Sequence, residues 1–315
     1  MNELLKNQNF CKFEFPSITI YKMGGFLSKV LQCDVRIEEE DRYDYSSESH
    51  KALFTTDATK RGLVIGINYD HDNIFDDDLR GCVNDMNNLR QFLIKHCHFQ
   101  NDEIRTLCNE RATRKNIERS LLQLVSFSHA NPRSEIWLSY SGHGTSVPCA
   151  QESDGCSEVI CPSDYSKSGL ISDAWLQRHF VSKLHPSTKV FVLMDCCNSG
   201  TNLNLPYIYQ HEDVCSSHSD YTAKELQQLC TIVKMSGCRD DQTSADYFES
   251  YENEFQGALT NGFLHFADLS EMEDEKHILQ YYKDVLGYVT YRGFSQRPVL
   301  TFSRCDLLNC DLYER

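Results

Sequence analysis

The chain has 315 residues, 40% of them hydrophobic, with a formal net charge of −15 at pH 7, enough apolar content for one large core or two small ones. A surface this acidic repels polyanions, so nucleic acid is excluded as a partner and basic ligands are favoured. Fifteen cysteines would suit a disulfide framework in a short secreted chain. Here the count is odd, and the first thirty residues lack a basic start followed by an unbroken apolar segment, so a reducing, cytoplasmic setting is expected.

Residues 1–58 carry the acidic patch "RIEEEDRYDYSSES" with weak apolar periodicity and read as an arm or pro-region. Within it, "MGGFLS" at Met23 fits an acylation pattern if translation starts there, which would give a peripheral membrane form as the alternative to the cytoplasmic one. No run reaches the ~20 apolar residues of a membrane span. Residues 59–200 form the larger part of one domain. "RGLVIGIN" predicts a buried parallel strand, followed by the acidic loop "YDHDNIFDDD". Leu79, Val83, Met86, Leu89 and Leu93 then recur at helical spacing, with Asp85 off the stripe, where an aspartate ordinarily faces solvent.

"EIRTL" predicts a strand, and Ile117, Leu121, Leu124 and Val125 mark a helix capped by Thr113. "SEIWLSYSGHG" predicts a strand ending in a glycine turn, "EVICP" a short strand, Asp173 to Leu184 a helix, and "KVFVLMD" a strand that runs into "CCNSG". Residues 201–225 are polar and read as a linker loop. Residues 226–315 hold a strand at "LCTIVKMSG", helices at "FQGALTNGFLHFADL" and "HILQYYKDVLGYVTYRG", and a last strand at "RPVLTFS". This alternation predicts an α/β fold, a mainly parallel central sheet with helices on both faces and sites beyond the carboxyl ends of its strands.

Two glycine-bearing turns fall at such ends. A nucleophilic cysteine needs a base to form its thiolate and amide donors for the oxyanion that forms on attack. "SYSGHG" sets His143 between two glycines, and "DCCNSG" sets two adjacent thiols, Cys196 and Cys197, past another strand end, Cys197 lying 54 residues after His143. Caspases place their histidine about 50 residues before the catalytic cysteine. Other thiol chemistries are disfavoured. No two-residue spacing suits zinc. No arginine stands where a thiolate phosphatase needs one, since Asn202 and Leu203 occupy those positions. No glycine-rich phosphate loop comes after the first strand.

"SGHGT" (Ser141–Thr145) and "DCCNSG" (Asp195–Gly200), with "GCVND" upstream and "SGCRDDQTSAD" downstream, resemble four metacaspase motifs, in the family's order, over roughly residues 60 to 302. The short linker looks like the type I arrangement. The resemblance implies the caspase-hemoglobinase fold, with Cys197 as nucleophile, His143 as general base and acid, and the amides of Gly144 and Cys197 as oxyanion hole. It implies a substrate pocket of Cys82, Asp85, Ser141 and Asp195, whose two carboxylates suit arginine or lysine. The expected activity is that of a zymogen-type cysteine endopeptidase, cutting proteins after arginine or lysine through a Cys-His dyad and a thioester.

The alternative is a catalytically weak or inactive caspase-like interaction protein, since Asn198 stands where the family has histidine. A basic specificity makes removal of the arm by self-cleavage an expectation at Arg42, Lys51, Lys60 or Arg61. The positions matching the family's calcium cluster are Ser157, Asp173, Ala174 and Asn204, of which only Asp173 is a carboxylate. No required cofactor and weak or absent calcium dependence are therefore expected, unless Asp154, Glu158 or Asp164 adds oxygen ligands. The expected partners are protein or peptide substrates with basic residues, and the expected state is a monomer.

Overall fold

The computed structural model describes residues 53–69, 79–150, 155–197, 199–200, 202–210, 213–216, 221–237, 246–249, 254–269 and 277–304. Met23, Arg42, Lys51, Asp154, Asn198 and most of the "SGCRDDQTSAD" motif lie outside them.

In chain order the elements are β1 (Lys60–Gly66), α1 (Cys82–Lys95), β2 (Ile104–Cys108), α2 (Arg114–Ala130), β3 (Glu135–Ser141), β4 (Gly144–Pro148) and β5 (Cys156–Ile160). After these come α3 (Tyr165–Ser168), β6 (Ile171–Ser172), α4 (Asp173–His179), β7 (Lys189–Asp195), β8 (Tyr207–Gln210), β9 (Asp213–Ser216), α5 (Ala223–Gln228) and β10 (Thr231–Ser236). The chain continues through β11 (Asp246–Glu249), β12 (Glu254–Gly257), α6 (Ala258–Leu269), α7 (Ile278–Tyr291) and β13 (Val299–Phe302).

An eight-stranded sheet in the order β2-β1-β3-β7-β10-β13-β8-β9 forms the centre. The first five of these strands are mutually parallel, and the last three run antiparallel to their neighbours. The near-continuous apolar runs of the parallel strands arise because helices cover both faces and successive side chains point to opposite sides. Val64, Trp137, Phe191 and Leu193 pack on the side of α1, α6 and α7, among Phe92, Phe263 and Tyr281. Their neighbours Leu63, Ile65, Ile136, Leu138, Val190 and Val192 face α2 and α4, among Leu121, Leu124 and Leu176. The fold is the α/β caspase-like one that the motifs implied. Among the described residues no helix is long and apolar enough to cross a membrane.

Several local expectations are revised. Leu53 and Phe54, assigned to the arm by composition, are buried in the core, with the Phe54 ring 5.5 Å from that of Phe99 and 5.8 Å from Trp137. An apolar pair inside a polar stretch was the signal for this. The polar segment 201–225 holds β8 and β9, which extend the main sheet, and Ile208 and Tyr209 there are buried. The glycine turn after β3 leads straight into β4, part of a small sheet with β5 and β6. The helix expected from Asp173 to Leu184 is α4 alone, with one tighter turn over Val181–Lys183.

Candidate active site

Ser141 and Asp195 are the last residues of β3 and β7 and are register partners in the parallel ladder. The two glycine turns therefore leave the sheet side by side, and Gly142 N donates to Asp195 O at 3.4 Å. Next to them the turns touch. A β-carbon built on Gly144 would lie 2.3 Å from the carbonyl oxygen of Cys197 and 3.3 Å from Cys196 Sγ. Gly144 is thus the residue whose missing side chain lets the histidine turn close on the cysteine turn. His143 and Cys197 are both half-buried, while Cys196 is buried.

Beneath the histidine turn lie two phenols that no sequence motif singled out. Tyr69 Oη accepts from His143 N at 3.0 Å and donates to Cys161 O at 2.6 Å. Tyr140 Oη donates to His143 O at 2.8 Å and accepts from Cys161 N at 3.2 Å. The two hydroxyls are 3.0 Å apart, and a β-carbon on Gly142 would meet both, at 2.8 and 3.0 Å. The Tyr69 ring also lies against the His143 imidazole, with centroids 4.5 Å apart and planes inclined by 32°. Burial holds both phenols well above the ordinary tyrosine range, so both stay protonated and keep donating at any working pH. Burial, and next the neighbouring Cys197, pushes the Cys161 thiol up to about 12. Cys161 therefore stays a thiol.

The turn after the cysteines is held from the other side. Lys234 on β10 is 0% exposed, and its Nζ donates to Ser199 O at 2.7 Å, Gly200 O at 2.8 Å and Asn202 Oδ1 at 3.0 Å. Ser199 Oγ in turn donates to Cys196 O at 2.8 Å. A lone cation inside the apolar strand "TIVKMS" was visible in the sequence as an anomaly, and this clamp accounts for it.

The four residues expected in the substrate pocket are all buried at the same end of the sheet: Cys82 and Asp85 in the first turn of α1, Ser141 at the end of β3, and Asp195 at the end of β7. Asp85 is 1% exposed, although an aspartate off the apolar stripe of a helix ordinarily faces solvent. The reason is a third layer, since α1 packs on β12 and α6 as well as on the sheet. Asp85 Oδ1 and Oδ2 share Gly257 N at 3.1 and 3.2 Å, and Asp195 Oδ2 accepts from Thr260 N at 2.8 Å. These amides open helix α6, whose N-terminal dipole favours the carboxylates. A β-carbon on Gly257 would sit 2.3 Å from Asp195 Oδ2 and 2.8 Å from Asp85 Oδ2. Gly257, missed in the sequence, is where the two carboxylates converge.

Among the described residues, no group of three or more His, Cys, Asp or Glu is placed to hold a metal ion. Asp173, 1% exposed, accepts at Oδ1 from Ser157 Oγ (2.5 Å) and Ala174 N (2.6 Å), and at Oδ2 from Asn204 Nδ2 (3.3 Å). Ser157, Ala174 and Asn204, which the resemblance put with Asp173 in a calcium cluster, thus all donate to Asp173, and Asp173 is the one carboxylate among the four. Asp164 is engaged elsewhere, accepting from Arg114 N and Ser168 Oγ, both at 2.7 Å, and Glu158 is buried in β5 opposite Ser146.

A family model described as metacaspase, peptidase C14 domain, matches residues 60–206. The Metacaspase-1B of Aspergillus fumigatus is 30% identical over 294 residues, an overlap covering 78% of this chain and 69% of the fungal one. The chain belongs to the metacaspase family. Metacaspase-1 of Lodderomyces elongisporus is 29% identical, with coverage of 80% of this chain and 66% of that protein. For Metacaspase-1 of Mycosarcoma maydis the figures are 29%, 83% and 73%. Metacaspases are cysteine peptidases, and this one carries the peptidase domain across β1 to β7. A solved protein of Geobacter sulfurreducens has a TM-score of 0.56 and 21% identity, covering 81% of this chain and 98% of that one. It shares the fold.

Proposed function

We propose that this metacaspase is an endopeptidase that cleaves proteins after arginine or lysine, with Cys197 as nucleophile and His143 as general base and acid. The observation that carries the reading is the contact of the two turns, with Cys197 O filling the space of a Gly144 side chain. His143 takes the thiol proton, and the Cys197 thiolate adds to the peptide carbonyl. The oxyanion is held by the amides of Gly144 and Cys197. The imidazolium then gives its proton to the leaving amine, and a thioester remains. Water, deprotonated by the same imidazole, attacks the thioester and restores the thiol.

Specificity is assigned to the carboxylates converging at Gly257. Both accept from backbone amides at the start of α6, and two buried carboxylates side by side favour an incoming cation over an anion. The Asp173 cluster supports an enzyme for which calcium is no requirement.

The test is hydrolysis of matched arginine, lysine and aspartate peptides by the full chain, with and without calcium, beside Cys197→Ala and His143→Ala. Arginine and lysine peptides are cut, the aspartate peptide is not, both variants are inactive, and a chelator changes the rate by less than about twofold. Cleavage after aspartate, or activity surviving in Cys197→Ala, overturns the reading. A folded wild-type chain that cuts none of the three supports the interaction protein instead.

A further inference from the structure

We propose that Tyr69 is a positioning residue for catalysis, its ring fixing the plane of the His143 imidazole while its hydroxyl, paired with that of Tyr140, fixes the turn that carries it. The inference rests on the reading of His143 as general base, and it deepens that reading. Here the ring contact is 4.5 Å between centroids. His143 N and His143 O are each bonded to one of the two phenols, so both peptide groups flanking the histidine side chain are fixed from below.

Tyr69 is itself held at a strained point. Its φ is 64°, in the left-handed region, where a bulky side chain is an outlier that persists only when its surroundings over-determine it. They do. Ile67 N donates to Ser141 O at 3.0 Å and Leu79 N to Asn68 O at 3.0 Å, while Asn68 N donates to Asn109 Oδ1 at 2.8 Å and Val83 N to Asn68 Oδ1 at 3.1 Å. The bonds on the preceding residues anchor the backbone to β3, to the segment after β2 and to the first turn of α1. The result of this strain is one side chain aimed under the imidazole. Gly142 completes the arrangement, because any side chain there would displace the two hydroxyls.

The experiment uses full-length Tyr69→Leu, Tyr69→Phe and Tyr140→Phe, with His143→Ala and Cys197→Ala as references. Tyr69→Leu removes the ring, and kcat falls about 10- to 100-fold with KM changed less than twofold, as expected for a misplaced catalytic group. Its His143 ring resonances, followed by NMR in the Cys197→Ala background, move as the ring current of Tyr69 is lost. Tyr69→Phe keeps the ring, so those resonances stay at the wild-type position while kcat falls about three- to tenfold, as it does in Tyr140→Phe. Wild-type kcat and unmoved His143 resonances in Tyr69→Leu overturn the proposal. Should that variant not fold, wild-type kcat in both phenylalanine variants does the same. If His143→Ala retains activity, the general-base reading fails, whereas the NMR shift still reports whether Tyr69 sets the ring.

Discussion

At the scale of single residues, the proposed reactive pair could be picked out of the sequence and the reasons for its neighbours could not. His143 and Cys197 stand in motifs that resemble those of the family. The two glycines around His143 also stand in the motif, but each is required by something outside it: Gly142 by the hydroxyls of distant Tyr69 and adjoining Tyr140, Gly144 by the carbonyl of Cys197. Gly144→Ala forces backbone against backbone at 2.3 Å, so the turns must part. A displacement on the order of 1 Å is expected to cost about 100-fold in kcat/KM, with the variant still folded by circular dichroism. Activity within threefold of wild type would break the link between turn contact and catalysis.

Gly257→Ala tests the pocket in the same way. Its methyl group would press on Asp195 and Asp85, so KM for an arginine peptide rises more than kcat falls, and alkylation of Cys197 by a small electrophile keeps its rate. Asp85 illustrates what a helical wheel leaves out. The wheel identifies the face turned to the sheet, and cannot register that β12 and α6 cover the next face as well.

At the scale of elements, apolar segments were readable and short segments of mixed polarity were not. The strands β1, β3, β7 and β10 and helices α1, α2, α6 and α7 are marked by apolar period and length. β4, β8, β9, β11 and β12 are four or five residues each and mixed in polarity, too short for a period to declare itself. β10 carries one element-level anomaly with a measurable consequence. Lys234→Met keeps the length and apolar character that the strand's neighbours call for, yet leaves three acceptors on the 199–202 turn without their shared donor. Unsatisfied buried acceptors are costly, so a loss of about 2–4 kcal/mol is expected in denaturant unfolding. Peptidase activity falls further than the unfolded fraction explains, because the same turn carries Cys197. An apolar variant at least as stable as wild type would mean that the clamp is dispensable.

At the scale of the whole molecule, the boundary of the folded body limits how the chain can be trimmed. Composition put that boundary near residue 58 and left Lys60 and Arg61 as self-cleavage points beside Arg42 and Lys51, the last two lying outside the described residues. Lys60 opens β1, which is paired on both sides, Gly62 to Ile104 and Lys60 to Glu135. Its ammonium is buried, bonded to Ala58 O at 3.2 Å and 3.8 Å from Glu135 Oε2. Just before it, Thr55 N and Thr55 Oγ1 donate to the same carboxylate at 2.9 and 3.0 Å, and Phe54 fills the core.

A protease must bind several extended residues around the bond it cuts, so cleavage after Lys60 or Arg61 requires peeling β1 from the sheet and withdrawing Phe54 and Lys60 from their sites. Truncating a buried phenylalanine alone costs about 3–5 kcal/mol, and the peeling adds the ladder to that. Self-removal of the arm is therefore expected only at positions before Leu53. Intact-mass measurement of active protein, beside Cys197→Ala as the self-cleavage control, shows only products that still contain Leu53 and Phe54. Products beginning at Arg61 or Gly62 appear once mild denaturant opens the fold. Their accumulation in the native enzyme would mean that β1 detaches during maturation, and that the segment from Leu53 to Thr59 belongs to the arm after all.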